Sequence, residues 1–134
     1  ADEYWVYASP YYTDHYPGAT VLASHFYHQV LGRTPSRAEL EGWCRAMIEQ
    51  GASGLTVAEG FLFSDEFLAK KLTDKEYVDI LYLALVARPA DPTGEAYWMK
   101  NLAAGTSRYD VFEGVAQSQE SLRVFRTGGP RIVQ

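Results

Sequence analysis

The chain has one cysteine, three histidines and no apolar run near the roughly 20 residues a helix needs to cross a bilayer. A lone Cys44 excludes an intrachain disulfide framework and every zinc site built from several cysteines. Cations are scarce too: 12 Lys and Arg face 17 Asp and Glu, for a net charge of −5. That balance argues against nucleic acid as a partner, because backbone binding draws its affinity from clustered Lys and Arg. The nucleophile elbow Gly-x-Ser-x-Gly, the His-Glu-x-x-His zinc helix, the phosphate loop and the calcium-loop spacing of acids are all missing. The sequence therefore names no cofactor and no metal, and it reads as non-catalytic.

What the 134 residues do hold is apolar and aromatic: 47% are hydrophobic, with ten Tyr, six Phe and three Trp. A chain of this size buries about two thirds of its unfolded surface, enough for one soluble core and not for two. The rings are unevenly spread. Tyr4, Trp5, Tyr7, Tyr11, Tyr12 and Tyr16 crowd the first sixteen residues, beside Asp2, Glu3, Asp14 and His15.

The chain also repeats itself, a feature that decides a fold before any single element does. A shift of 55 residues sets Tyr27, Arg33 and Trp43 on Tyr82, Arg88 and Trp98. After one lost residue, a shift of 54 sets Gly51, Ser53, Val57, Glu59, Gly60, Ser64, Glu66 and Leu68 on Gly105, Ser107, Val111, Glu113, Gly114, Ser118, Glu120 and Leu122. Each unit reads as helices. Leu40, Trp43, Cys44, Met47 and Ile48 form one amphipathic stripe, opened by the capping box of Ser36 with Glu39 and stopped at Gly51. The matching helix opens with Asp91 as N-cap and Pro92 behind it. Shorter helices follow Ser53 and Ser107, burying Val57, Ala58, Phe61 and Leu62 in one unit and Val111, Phe112, Val115 and Ala116 in the other. A fourth begins at Ser64 and at Ser118. Thr73 with Glu76 caps a helix running to Arg88, apolar from Ile80 to Ala87.

The expected fold is thus all-α: a pseudo-symmetric bundle of two tandem four-helix repeats of about fifty residues, preceded by an aromatic arm. Residues 1–20 are assigned to the arm packed on the bundle. The repeats take 21–72 and 73–127 of a single domain at 21–127, and 128–134, with its Gly-Gly-Pro, forms a flexible tail.

Several phrases carry a resemblance. They are Leu31-Gly32-Arg33-Thr34-Pro35, Gly42-Trp43, the run from Val57 through Gly60-Phe61 to Ser64-Asp65-Glu66-Phe67, Ile80-Leu81-Tyr82, Arg88-Pro89-Ala90-Asp91-Pro92-Thr93-Gly94, and Ala96-Tyr97-Trp98. Together the chain from about 21 to 127 resembles the bacterial domain of unknown function 4214. Ala87, Glu95 and Ser121 depart from that pattern, where Gly, Leu and Phe are usual. The first unit lacks the Asp-Pro turn and the Tyr before its Trp. The resemblance implies an all-helical, non-catalytic module of secreted or cell-surface proteins, found beside calcium-binding repeats, surface-layer modules or carbohydrate-active domains. Its units also resemble phycobilisome linker domains. Ala1-Asp2-Glu3 suits a mature start after signal removal or a boundary within a longer protein.

The candidate residues follow. Arg33 and Arg88 are expected to fork the carboxylates of Glu66 and Glu120 and lock helices together. Trp43 and Trp98 are expected in the core, and Gly60 and Gly114 where another helix approaches closely. Cys44, matched by Met99, reads as a buried thiol. His25 and His28 share a helical face at metal-ligand spacing, yet their counterparts Ile80 and Leu83 describe a packing surface. The rings of Tyr4, Trp5, Tyr7, Tyr11, Tyr12 and Tyr16 suit a sugar's mixed faces or a protein interface, and equally the covering of the bundle. The functional expectation is an interaction module, displaying or tethering its neighbours and contacting glycan or a surface protein. The alternative is a small glycan-directed hydrolase using acidic residues near the arm; Glu59 and Glu113 mimic a carboxylate pair, but their equivalence under the repeat favours a solvated or capping role, since catalysis asks two carboxylates for different environments.

Overall fold

The computed structural model describes residues 15–126 of the chain, with side chains through Val124. The arm rings Tyr4, Trp5, Tyr7, Tyr11 and Tyr12 and the tail assigned to 128–134 lie outside the described residues. Those that are described form eight α-helices and no strand. None is long and apolar enough to cross a membrane.

Helix α1 spans Pro17–Phe26 and continues as a π-helical turn, Tyr27–Leu31. Pro17 sits in its first turn, where a missing N–H costs nothing. Residues 17–20, assigned to the arm from sequence, are therefore helix: the proline starts the element earlier than its apolar periodicity does. The turn ends at Gly32 in the left-handed region, φ +67°. Helix α2, Arg37–Glu49, opens with the Ser36–Glu39 capping box, both arms of which are formed. Helix α3, Gly54–Leu62, is capped by Ser53, and the short α4, Asp65–Leu68, by Ser64.

The C-terminal half follows the same order. Helix α5, Asp74–Leu85, starts from the Thr73–Glu76 box. Helix α6, Pro92–Ala103, is capped by Asp91, whose carboxylate accepts from the Gly94 amide. Helix α7, Arg108–Ala116, is capped by Ser107, and α8 covers Gln119–Arg126.

One apolar core joins both halves. Phe26, Val30, Phe61, Leu62, Val78, Leu81 and Leu85 lie in it, each 2% exposed or less. Helices α3 and α7 bury Val57, Ala58, Phe61 and Leu62, and Val111, Phe112, Val115 and Ala116. Rings fasten the joint between halves: Phe63 meets Tyr109 at 5.5 Å and Phe112 at 5.8 Å, and Phe67 meets Tyr77 at 6.3 Å. Arg108 adds a polar clasp. It donates to the Leu72 carbonyl and to Asp74, and its guanidinium lies 4.9 Å from the Tyr77 ring centroid.

The α2 stripe is less buried than its periodicity predicts. Cys44 is fully buried, but Trp43 and Met47 are half-buried and Ile48 is 39% exposed. Helix α6 has no fully buried residue at all. Both helices lie on the outside of the core and turn one edge of an indole inward.

Candidate functional site

The residues singled out from sequence gather at two places, one in each half, where the first helix turns into the second. In the N-terminal half the Arg33 guanidinium forks Glu66, Nε to Oε2 at 2.7 Å and Nη2 to Oε1 at 3.0 Å. It also grips Glu39 at 3.0 and 2.7 Å. One planar cation thus ties α2 and α4 to the end of the π-turn, as the guanidinium fork allows. The Arg33 hydrogen bonds, with the Ser36 amide, hold the Glu39 carboxyl at about 2. The same cation lowers Glu66. It also lies 5.1 Å from the Tyr27 ring centroid.

Tyr27 links this ion cluster to the tryptophan. Its hydroxyl accepts from the Trp43 indole N–H at 3.0 Å, and burial pushes that hydroxyl above its ordinary pKa. The Trp43 ring stacks on Phe61, centroids 4.7 Å apart. A Cβ on Gly60 would stand 2.9 Å from the rim of that indole. What comes close at Gly60 is the edge of the Trp43 indole, carried by α2.

The C-terminal half repeats the set with changes. Arg88 forks Glu120 at 2.9 and 2.6 Å, reaches Asp91 at 3.5 Å, and lies 5.6 Å from the Tyr82 ring centroid. Trp98 covers Gly114 so closely that a Cβ there would collide with the indole. Burial raises the Tyr82 hydroxyl, and Trp98 counters part of that rise.

The two places differ beside the tryptophan. Tyr97 precedes Trp98 and meets its ring edge-on at 4.7 Å, remaining 58% exposed. The corresponding residue before Trp43 is Gly42. There a groove of about 390 Å³ opens, lined by Tyr27, Ala38, Glu39, Gly42, Trp43 and Ala46. Ala38, Gly42 and Ala46, one helical turn apart on α2, bring a stripe of small residues to it beside Trp43 and Glu39. A Cβ on Gly42 would meet nothing within 4 Å. A smaller hollow of about 260 Å³ lies by Tyr97, Lys100, Asn101 and Ala104.

The remaining sequence candidates stay apart from the groove. Tyr16, the one arm ring within the described residues, is half-buried ahead of α1. Cys44 is buried with its sulfur 3.5 Å from the Thr20 hydroxyl, and burial pushes the thiol up. His25 is buried while His28 is exposed, so the two do not present one face to an ion. Among the described residues no group of three His, Cys, Asp or Glu is placed to hold a metal. Glu59 and Glu113 both lie near Tyr109, and Glu113 first, then burial, raises its hydroxyl.

Sequence reading missed the Arg108–Asp74 clasp and a second polar cluster. Lys75 bonds Asp79 at 3.0 Å and stands 3.6 Å from Glu95, bringing two carboxylates onto one ammonium between α5 and α6. Asp79 raises the Glu95 carboxyl above its ordinary value. The i,i+4 spacing of Lys75 and Asp79 was the available signal. Glu95, on another helix, has none in sequence.

The family model described as "Domain of unknown function (DUF4214)" matches residues 58–125, half of the chain. No curated protein matches the chain, and no solved structure does. With the family model covering α4 through α7 and nearly all of α8, the chain belongs to the domain of unknown function 4214 family.

Proposed function

We propose that this chain is a non-catalytic interaction module of a secreted or cell-surface protein, built from two tandem four-helix units and recognising glycan or protein through aromatic groups. In this reading the units are 21–72 and 73–127. The repeated Tyr, Arg, Glu, Trp and Gly residues are a frame that holds helices together, and binding falls to the ring surface this frame leaves open and to the arm. One observation carries it: the groove over Trp43, where glycine replaces the tyrosine that covers the matching tryptophan. An apolar lining beside a fixed anion and a tyrosine is the mixed surface that sugars and interface side chains both fit. The arm rings at Tyr4, Trp5, Tyr7, Tyr11 and Tyr12, with Tyr16, extend the same chemistry along the chain.

The test is binding of the purified chain to a panel of immobilised bacterial-surface glycans and to the domains that neighbour it in its parent protein. Gly42→Tyr is the decisive variant, since it fills the groove without disturbing the frame. The reading predicts retention of the wild type on one surface and at least tenfold weaker retention of Gly42→Tyr. Equal retention of the two removes the groove, and release of reducing ends from the glycans removes the non-catalytic assignment.

A further inference from the structure

His25 sits at the C-terminal end of α1, 1% exposed, its ring tilted against Phe26 at 5.4 Å. Its Nε2 stands 3.1 Å from the carbonyl oxygen of Ala84, fifty-nine residues further along the chain on α5. A carbonyl only accepts, so Nε2 carries the hydrogen and the neutral ring keeps its lone pair at Nδ1. That Nδ1 is buried and has no hydrogen-bond partner. An unmet acceptor is tolerable in a core. A proton there makes an unmet donor and an unpaired charge, which is far less so.

The surroundings offset that charge only in part. On the same stretch of helix, exposed His28 adds repulsion when protonated. Helix α2 brings Glu41 and Cys44, and Cys44 is placed against Thr20, more than a turn toward the N-terminus of His25. Helix α3 turns apolar residues into the core, while its Glu59 is exposed. Helix α5 keeps Asp74, Lys75 and Asp79 in its N-terminal half, engaged with Arg108 and one another, and directs the Tyr77 hydroxyl to the Arg108 carbonyl. Its C-terminal end presents the Ala84 and Leu83 carbonyls, which favour an imidazole hydrogen but not enough to offset burial.

We propose that His25 is an acid-sensitive latch between α1 and α5: neutral, it clasps the first helix of each half, and a proton at Nδ1 releases the joint. Because burial pushes the folded imidazole below its ordinary 6.5, the unfolded chain takes up the proton first. The latch is therefore fully effective above about pH 6.5, the unfolded value, and its contribution drains away as the pH falls below it. No ligand is needed, so this inference stands or falls independently of the proposed binding role.

Urea unfolding of the full chain between pH 7.5 and 5, beside His25→Gln and His28→Gln, tests it. The wild type is expected to lose up to tenfold in its folding equilibrium constant per pH unit below 6.5, the limit for one proton. His25→Gln should lose that component and His28→Gln should keep it. An undiminished slope in His25→Gln overturns the proposal. Should that variant fail to fold, the wild-type imidazole Cε1–H resonance decides. A His25 still neutral at pH 5.5 in the folded protein supports the latch, and titration near 6.5 with the fold intact overturns it.

Discussion

Residues 63–68 carry rings at positions where 117–122, their counterparts at a shift of 54 in the sequence, are polar. Phe63 and Phe67 of the N-terminal half stand where the C-terminal half has Gln117 and Ser121. Both phenylalanines pack on rings of the other half, Phe63 on Tyr109 and Phe112 and Phe67 on Tyr77. Gln117 is exposed, and Ser121 is buried with a hydroxyl that has no partner. Ring placement thus follows the presence of something to pack on rather than the helix itself. The ionic clasp does not vary in this way: Arg33–Glu66 and Arg88–Glu120 are forked alike in both halves.

Exchanging the residues breaks the comparison most severely at Phe67. It is 3% exposed, so Phe67→Ser should cost about 3–5 kcal/mol by loss of a buried ring, measured as a fall in the urea midpoint. Gln117→Ala, at the exposed counterpart of Phe63, should change stability by less than about 0.5 kcal/mol.

The next largest effect separates the two indole contacts. Alanine at an ordinary helical glycine gains about 1 kcal/mol, but here its methyl meets a tryptophan. At Gly114 the collision with Trp98 is the more severe, so Gly114→Ala should destabilise by about 1–3 kcal/mol and disturb the near-ultraviolet circular dichroism of the indole. Gly60→Ala, whose methyl would stand 2.9 Å from the same edge of Trp43, should cost less. An equal loss at both positions would deny the difference.

The smallest effect sharpens the comparison at the helix ends. Gly32 and Ala87 close the first helices of the two halves, both left-handed, at φ +67° and +62°. That conformation strains any residue with a Cβ by about 1–2 kcal/mol. Ala87→Gly should therefore raise the melting temperature by a few degrees and Gly32→Ala should lower it.

Much of this fold was legible because its signals are local. Caps at Ser36, Ser53, Thr73, Asp91 and Ser107 announce helix starts within three residues, and the stripes of α3 and α7 lie within a single helix each. Identities at a shift of 54 to 55 residues extended that reach to Arg33–Glu66 and Arg88–Glu120, because the same residue pair met twice in a sequence is informative where one is not. Contacts without a repeated counterpart were invisible. His25 to Ala84, Arg108 to Leu72 and Asp74, and Lys75 to Glu95 each join residues between 20 and 59 positions apart, through a geometry only the folded chain creates. The groove was hidden for another reason. The missing Tyr before Trp43 is visible in the sequence, but the groove beside Gly42 emerges only in the folded chain.

That contrast supplies the most direct measurement. If the Trp43 frame is the Trp98 frame with one ring left out, Gly42→Tyr should complete it. The gain expected is about 1–2 kcal/mol, from helix propensity and an aromatic pair together, seen as a higher melting temperature with nuclear Overhauser contacts from the introduced ring to the Trp43 indole. A lower melting temperature, or a new ring that makes no contact with Trp43, would contradict it.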